Sequence, residues 1–290
     1  MIQDKIPSLP PRPDDGHKGL FGRVLIVGGA ENMLGAPILA GESALRMGSG
    51  LVQVAMPASV LAPGLSVCPE LIGVGLDESS MDDLGEAAES ADVIIIGPGM
   101  GTSAAARERL AALIRLDKPM VIDADGLNLL AKGESWPKAF RASAVLTPHP
   151  GEMKRLAKLF DRDEVPSDEA GRIEIAKQAA DAFGQIIVLK GNRTIITDGK
   201  KVAINTTGDS SLSKAGSGDV LSGMIGSLIG QGMDRFDAAV LGIHLHGRAG
   251  EIAGERLGKR SVLARDVIDA IAAAIREHEP SPSYSGERAG

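Results

Sequence analysis

A short glycine-rich stretch in the last third of the chain ends in a carboxylate just before an apolar run. Residues 216–219 read Gly-Ser-Gly-Asp, and the run that follows has the composition of a buried helix. The N-terminus of a helix has unpaired N–H groups and a partial positive charge, and glycines let an anion approach them closely. Beside a bound phosphate, Asp219 could take a proton from a hydroxyl that attacks a phosphoryl group. A structural interpretation is equally open, with Asp219 as a helix cap and the glycines in a turn.

Polar or glycine-rich turns follow five apolar runs that have the character of buried strands. These turns are Gly28–Gly29 and residues 97–101, 123–125, 147–152 and 190–194. Each turn taken alone is better explained as a simple chain reversal, since such loops favour Gly, Asp and Thr. In a parallel sheet, however, the carboxyl ends of the strands lie on one edge, and ligands bind there. Five such turns on one edge therefore predict a functional site.

Three of these turns carry ionisable candidates that also have structural explanations. Lys190 ends the run IIVLK and could meet a nucleotide phosphate, although a solvated lysine is commoner. His149 could contact a substrate or simply bond to loop backbone. Asp123 or Asp125 could face the site, hold Mg²⁺ through water, or cap a short helix over residues 126–131. Mg²⁺ is expected because phosphoryl transfer needs charge neutralisation, but the sequence does not identify its ligands.

Residue spacing disfavours other common kinds of site. His244 and His246 lie two apart on a predicted helix and point in different directions, so they do not form a metal pair. Cys68 is the single cysteine and is predicted to be a buried, unpaired thiol. The chain has no GxxxxGK motif followed by Ser or Thr, and its first glycine turn reads GGAENMLG rather than GxGxxG. A P-loop NTPase and an ordinary dinucleotide-binding dehydrogenase are therefore disfavoured.

Strand-like and helix-like runs alternate over residues 23–191, separated by glycine turns. The strand-like runs are continuously apolar, which is typical of strands covered on both faces. This order predicts an α/β fold, a three-layer α/β/α sandwich with a mostly parallel central sheet. A hairpin that turns at Asp198-Gly199 is predicted next. Three helices should complete the fold, over residues 218–231, 235–257 and 264–277.

Length and composition limit the organisation and the partners. The 290 residues suit one catalytic domain over residues 20–278, with a loose N-terminal arm over 1–19 and a flexible C-terminal tail over 279–290. A net charge of −7 and an aromatic content of 2% disfavour nucleic-acid binding. No apolar run reaches the ~20 residues that cross a bilayer, and the polar, proline-rich start is unlike a signal peptide. We therefore expect a cytoplasmic protein without membrane partners.

Several segments of the chain together resemble a known family. The stretch AGSGDVLSG resembles the anion hole of the ribokinase-like superfamily. In the small-molecule kinases of that superfamily, the anion hole ends in a catalytic Asp. The wider set is similar to the ADP-dependent bacterial NAD(P)H-hydrate dehydratases. It includes IIIGPGMG, VIDADGLNLL, LTPHPGEMKRL, VLKGNRTIITDG and NTTGDSSLSKAGSGDVLSGMI, which occur in family order. The resemblance covers about residues 20–277.

This resemblance implies a nucleotide-dependent repair reaction on a ribokinase-like fold. Members of the family use ADP to dehydrate the S epimer of NADHX or NADPHX back to NADH or NADPH, giving AMP and phosphate. The nucleotide phosphorylates the hydroxyl of the hydrated ring, and loss of phosphate restores the double bond. The resemblance further implies Mg²⁺, a separate NAD(P)H-hydrate epimerase as a functional partner, and a homotetramer.

The resemblance also implies roles for individual positions. Asp219 matches the catalytic carboxylate. The positions that match substrate contacts are Ala36, Gly101, His149 and Asp219. The positions that match the nucleotide site are Lys190, Gly191, Asn192, Arg193, Thr194, Asn205, Gly216, Ser217 and Gly218.

The chain departs from the family pattern just before the anion hole. The family's NTTGNxGMATGGSGD appears here as NTTGDSSLSKAGSGD, so that Asp209, Leu212, Lys214 and Ala215 replace Asn, Met, Thr and Gly. Ala215 adds a methyl group where a glycine would tolerate a positive φ. Lys214 adds a charge beside the expected phosphates, which could alter the rate or the nucleotide preference.

Two other functions are compatible with the residues alone. An ATP-dependent kinase of a small hydroxylated metabolite, such as a vitamin precursor or a sugar, would have the same base and anion hole. The combination of GPGMG, TPHPGE and KGNRT is unusual for such kinases. A non-catalytic nucleotide-binding or regulatory protein on this fold is the third hypothesis, and the retention of Asp219 and of the whole anion hole disfavours it.

Overall fold

Parallel strands and an antiparallel hairpin form one mixed sheet in the computed structural model, which describes residues 5–77, 81–133 and 140–279. The order across the sheet is β3-β2-β1-β4-β5-β6-β7-β8-β9, in which β1 to β7 are parallel and β8 and β9 are antiparallel to their neighbours. The strands are β1 (Arg23–Val27), β2 (Leu51–Pro57), β3 (Ile72–Leu76), β4 (Val93–Ile96), β5 (Pro119–Ile122), β6 (Ser143–Leu146), β7 (Ile186–Leu189), β8 (Ile195–Thr197) and β9 (Val202–Ile204).

Helices cover both faces of this sheet, as the continuously apolar strands predict. They are α1 (Gly35–Arg46), α2 (Ala58–Leu65), α3 (Met81–Ser90), α4 (Ala104–Leu113), α5 (Asp125–Leu130), α6 (Pro150–Ala157), α7 (Glu169–Phe183), α8 (Ser217–Gly230), α9 (Arg235–Leu257) and α10 (Ala264–His278). One hydrophobic core joins the sheet to α1, α2, α8, α9 and α10, and the other joins it to α3 through α7. The predicted three-layer α/β/α sandwich is confirmed.

The strand order reverses next to β1. The chain leaves β1 for β2 and β3 on one side, then returns to β4 on the other, so that Val24 faces both Val52 and Val93. Such a switch point in a parallel sheet is where ligands bind, beyond the carboxyl ends of the strands. The turns after β1 and β4 lie against each other here, because the Gly29 N–H donates to the Pro98 carbonyl at 2.9 Å.

Helix α8 lies unusually close to the sheet and to α1. A Cβ added to Gly226 would lie 2.5 Å from Ile95 Cδ1, and one added to Gly223 would lie 2.1 Å from the Ala40 carbonyl oxygen. The contact at Gly223 is with backbone, so glycine is required there, whereas a side chain at position 226 would force the buried Ile95 to shift. The close contact fixes the first turn of α8 at the carboxyl edge of the strands.

The hairpin and the last three helices are predicted correctly from the sequence, but a stretch between β2 and β4 is missed. Helix α2, strand β3 and helix α3 occupy this stretch. Pro63 lies inside α2, and Gly73 and Gly75 lie inside β3. Proline and glycine have low intrinsic preference for these structures, so packing against the sheet decides them instead.

Within the expected N-terminal arm, residues between 5 and 19 contact the rest of the domain. Ile6 and Leu9 pack against a hydrophobic core, and the Leu9 N–H donates to Glu279 at 2.7 Å. Arg12 donates to the Gly48 carbonyl at 2.7 Å. The predicted tail lies, from residue 280 onward, outside the described residues. In the part of the chain that the structure describes, no helix combines the length and apolar character needed to cross a bilayer.

Candidate active site

A cavity of about 720 Å³ opens at the carboxyl edge of β7, beside the first turn of α8. Its walls are the 190–194 turn, the loop over residues 205–214, and side chains of α8 and α9. The predicted residues that line it are His149, Lys190, Gly191, Asn192, Arg193, Thr194, Asn205, Ser217 and Gly218. Eight of the nine residues assigned to the nucleotide therefore line one cavity, the exception being Gly216, and His149 from the substrate set lies with them.

Ala36 and Gly101 lie in a second group, at the turns after β1 and β4. A Cβ added to Gly99 would lie 3.0 Å from Ala36 Cβ, so the start of α1 contacts the 97–101 turn. The Gly101 N–H donates to the Asp125 carboxylate at 2.9 Å. Asp219 lies between the two groups, since its carboxylate interacts electrostatically with both Lys190 and Asp125. Asp125 and Asp219 thus link the turns after β1 and β4 to the cavity, although Ala36 and Gly101 do not line it.

The start of α8 is shaped by Gly216 and not by a side-chain cap. Gly216 occupies the cap position with φ of 89°, and no side chain caps the helix there. A Cβ at this position would lie 2.8 Å from Leu39 Cδ1, and the left-handed backbone would be strained as well. The interpretation of Asp219 as a helix cap is therefore wrong, and its carboxylate is available for chemistry.

The environment of Asp219 suits a general base near neutral pH. Burial raises the pKa of Asp219 to about 7, and the charge of Asp123 adds to this effect while Lys190 opposes it. A base is most effective when its pKa lies near the working pH. Asp219 is therefore deprotonated in a large fraction of molecules at neutral pH, yet it binds a proton more tightly than an ordinary aspartate.

Lys190 is held in a buried cluster of carboxylates. Its Nζ lies 2.7 Å from Asp123 Oδ1 and 3.9 Å from Glu152 Oε2. Burial alone would lower the pKa of Lys190, but the two carboxylates raise it overall, so the side chain is a fixed cation. Burial raises the pKa of Glu152 to about 7. Asp123 does not cap α5, because Ala124 occupies the cap position and makes no side-chain bond.

His149 has a structural role and faces the cavity as well. The ring Nδ1 of His149 accepts from the backbone N–H of Gly151 at 2.9 Å, and the backbone N–H of His149 donates to the Glu152 carboxylate at 2.8 Å. The two bonds form a capping box at the start of α6. The ring is about half exposed and lines the cavity. Burial lowers the pKa of His149, and the neighbouring Lys190 and Arg155 lower it further.

The 190–194 turn is held by an arginine of α7. Arg172 donates to the Asn192 carbonyl at 2.7 Å and to the carbonyls of Leu189 and Lys190 at 3.3 and 3.4 Å. Within the turn, the Thr194 hydroxyl donates to the Gly191 carbonyl at 2.9 Å. These hydrogen bonds fix the backbone conformation of the 190–194 turn. Sequence reasoning missed Arg172, because nothing in the sequence of a helix shows which loop it will face.

A second residue that sequence reasoning missed is His246. It is buried, it lines the cavity, and its Nε2 lies 3.2 Å from the Ser217 hydroxyl. Burial lowers the pKa of His246 to about 4, so the imidazole is neutral at physiological pH. Its neighbour His244 instead packs against His278. The two histidines do point apart as predicted, but one of them belongs to the site.

The departures before the anion hole have clear structural consequences. Asp209 caps a short 3₁₀ turn over Ser210–Leu212 and pairs with Lys259 at 2.9 Å. The positive φ lies at the neighbouring Gly216, and Ala215 does not have one. The methyl group of Ala215 therefore causes no backbone strain. Lys214 is exposed and lines the cavity, where its charge is available to an anion.

A family model described as NAD(P)H-hydrate dehydratase matches residues 24–273. The ADP-dependent (S)-NAD(P)H-hydrate dehydratase of Neisseria meningitidis is 36% identical over 254 residues, which cover 85% of this chain and 82% of that protein. The chain also matches bifunctional NAD(P)H-hydrate repair enzymes, and it spans about half of their length.

Solved structures show the same similarity. The ADP/ATP-dependent NAD(P)H-hydrate dehydratase of Bacillus subtilis, co-crystallised with ATP and Mg²⁺, has a TM-score of 0.81 and 31% identity, covering 94% of this chain and 95% of that one. A ribokinase-like superfamily protein of Enterococcus faecalis has a TM-score of 0.78 and 28% identity, covering 93% and 92%. The similarity extends along nearly the whole chain in both cases.

Proposed function

This chain belongs to the NAD(P)H-hydrate dehydratase family, and we propose that it restores NADH and NADPH from the S epimers of their hydrates, NADHX and NADPHX. In the proposed reaction ADP is the co-substrate, and AMP and phosphate are the products. The observation that carries the proposal is the position of Asp219 on the first turn of α8. There a base of pKa about 7 lies next to an uncapped helix start and a fixed cation, and both Gly218 and Lys190 line a nucleotide-sized cavity.

The first proposed step is a phosphoryl transfer. Asp219 accepts the proton of the hydroxyl on the hydrated ring while that oxygen attacks the terminal phosphorus of ADP. A new O–P bond forms, the bond from phosphorus to the bridging oxygen breaks, and AMP leaves. Charge develops on the transferred group, and preorganised N–H donors and a nearby cation stabilise such charge. The start of α8 and the Lys190 ammonium supply both.

The second proposed step is an elimination. The carbon–oxygen bond of the phosphorylated ring breaks, phosphate leaves with the electron pair, and a proton is lost from the adjacent carbon. The ring double bond is thereby restored. Phosphate is a much better leaving group than hydroxide, which explains why a kinase-like site is suited to a net dehydration.

Mg²⁺ is proposed only as an ion that accompanies the nucleotide. Within the described residues, no group of three or more His, Cys, Asp or Glu is arranged to hold a metal ion. The Bacillus subtilis dehydratase was co-crystallised with ATP and Mg²⁺ together, which supports their arrival as a pair.

Three further features belong to the same proposal. The R epimers would first be converted by an epimerase, since the proposed site acts on the S epimer; bifunctional relatives support this functional link.

We propose a cytoplasmic location, where NADH and NADPH are used. We also propose a homotetramer, which light scattering of the purified chain would test.

The decisive experiment mixes S-epimer NADHX, the protein, Mg²⁺ and either ADP or ATP, and follows the near-ultraviolet absorbance of reduced nicotinamide. We expect a rise with ADP. A rise with ATP alone would keep the dehydratase and overturn the choice of nucleotide. No rise with either, from folded protein that binds AMP, would overturn the proposal and return a small-molecule kinase to consideration. The variant Asp219→Asn should bind AMP and lose turnover, which separates an enzyme from a nucleotide-binding protein.

A further inference from the structure

A buried ion pair lies directly against the first turn of α8. Asp123 follows β5 and Lys190 follows β7, and their side chains meet at 2.7 Å. A Cβ added to Gly218 would lie 3.4 Å from Lys190 Nζ and 3.5 Å from Asp123 Oδ2. The ammonium and the carboxylate thus both lie at the helix start, where an anion would bind. Asp123 has no role in the two reaction steps proposed above.

The Lys190 ammonium has a second carboxylate within reach, Glu152, which is not among the groups within 4 Å of a Cβ added to Gly218. Glu152 Oε2 lies 3.9 Å from Lys190 Nζ and belongs to α6, where it accepts the His149 N–H at 2.8 Å. Asp123 is the nearer partner and is almost completely buried. If Asp123 were removed, Glu152 and Asp219 would compete for the ammonium, which would no longer be fixed beside Gly218.

We propose that Asp123 is a positioning residue, which holds the Lys190 ammonium against the first turn of α8 so that the cation meets the phosphoryl group during transfer. This inference rests on the proposed function, because it concerns the same site and the same step. Asp123 itself touches no reacting atom. It acts through Lys190, and its contribution should therefore depend on Lys190 being present.

Asp123 also acts on the base. The charged groups that face Asp219 are Asp123, Asp125, Glu152 and Lys190, from the turn after β5, α5, α6 and the turn after β7. Burial is the largest cause of the raised pKa of Asp219, and the charge of Asp123 is the next. Removal of that charge should lower the pKa of Asp219. A base with a lower pKa is deprotonated at lower pH, so the acid limb of the pH–activity profile should move toward lower pH.

The test compares wild type with Asp123→Asn, Asp123→Ala, Lys190→Met and the double variant Asp123→Asn/Lys190→Met. We expect Asp123→Ala to lower kcat about 10²-fold, similar to loss of one transition-state donor. Asp123→Asn keeps an acceptor for the ammonium and should lose less. The KM for ADP should change far less than kcat, and the double variant should be no slower than Lys190→Met. The acid limb should move to lower pH in both Asp123 variants.

Asp117→Asn is the matched control. Asp117 is exposed and precedes β5, so the same change of charge is made at the opposite end of the same strand. It should alter neither kcat nor the pH profile. Thermal unfolding of each variant identifies any that fails to fold, and Asp123→Asn, which preserves the side-chain volume, provides the result if Asp123→Ala does not fold.

The outcomes separate this inference from the proposed function. An inactive wild type would overturn the proposed function. An active wild type whose Asp123 variants keep their kcat, or lose it equally with and without Lys190, would overturn the inference alone. NMR titration of the Asp219 carboxyl in wild type and Asp123→Asn tests the electrostatic link without turnover. An unchanged pKa there would contradict it.

Discussion

At the scale of the residue, Asp219 is unusual because its surroundings oppose its charge. Burial and the nearby Asp123 raise its pKa to about 7, and Lys190 offsets only part of this effect. The same surroundings that make the carboxylate a stronger base also make its charged form costly in the folded state. Activity and stability should therefore respond in opposite directions to pH and to loss of this charge.

The first prediction concerns the pH dependence of activity. Because Asp219 must be deprotonated to accept a proton, kcat/KM should rise as pH increases through about 7 and then level off. Steady-state rates between pH 5 and pH 9 would measure this. Asp219→Asn should lose ~10²–10⁴-fold in kcat and show no such rise. A flat profile for the wild type would contradict the role of Asp219 as base.

The second prediction concerns stability. The pKa of Asp219 is higher in the folded state, at about 7, than its ordinary value of 3.8, so the folded protein binds more protons between these limits. Stability contributed by this group therefore falls as pH rises from about 4 to 7. Asp219→Asn removes that cost and should raise Tm at pH 8 by about 2–4 °C, equivalent to ~1 kcal/mol. Calorimetry should show a smaller gain at pH 5, and an equal gain at both pH values would contradict the mechanism.

At the scale of the element, helix α7 shapes a loop that it does not contain. Arg172 contributes the contacts that hold the 190–194 turn, and Glu169 on the same helix pairs with Arg193, whose φ is 55°. The N-terminal part of α7 thus holds the backbone of the turn that is predicted to bind the nucleotide. Affinity for the nucleotide should therefore depend on a helix that need not touch it.

The third prediction tests this dependence with Arg172→Gln. Loss of the guanidinium contacts should raise the Kd for AMP about tenfold, because the turn would no longer be held in its binding conformation. A tenfold change corresponds to ~1.4 kcal/mol of binding free energy. The value of kcat at saturating ADP should change much less, because Asp219 and Lys190 remain. Isothermal titration calorimetry with AMP measures the first effect. Arg162→Gln is the control, because Arg162 donates to Gln178 on the exposed surface and should leave the Kd unchanged.

At the scale of the whole molecule, the site is a product of sheet topology. One half of the site is the pair of turns after β1 and β4, which contact each other at the switch point. The other half is the turn after β7 with the start of α8, which line the cavity. Asp219 lies between the halves and interacts with charges on both sides. The two substrates are therefore expected to bind in separable subsites.

The fourth prediction separates the two subsites with Ala36→Leu. Ala36 lies at the start of α1 against the 97–101 turn, and the larger side chain should obstruct the ring of the hydrate. We expect the KM for NADHX to rise at least tenfold, while calorimetry shows an unchanged Kd for AMP. Weakened AMP binding would mean that the halves are not independent, and an unchanged KM would place the hydrate elsewhere.

Much of the fold was predictable because its determinants are local. Continuous apolar runs such as IIVL predict buried strands, and the βα alternation predicts a parallel sheet between helices. The stretch from α2 to α3 was not predictable, because Pro63 and the glycines of β3 act against local preference and only packing on the sheet outweighs them. The contacts of residues 5–19 escaped prediction for a related reason, since their partners include Glu279, 270 positions away from Leu9.

The sequence by itself determined the parts of the site that depend on the local chain. The glycine-containing turns and the carboxylate on the first turn of a helix follow from residue type and spacing, whereas the positive φ of 89° belongs to Gly216 and not to position 215, where it was expected. Only the tertiary structure decided which charges meet. Asp123, Glu152 and Lys190 come from three different strand ends, and His246 reaches Ser217 from another helix. Electrostatic and hydrogen-bond energies depend on distances of a few ångströms between such groups, and those distances are set by the order of the strands and the packing of the helices.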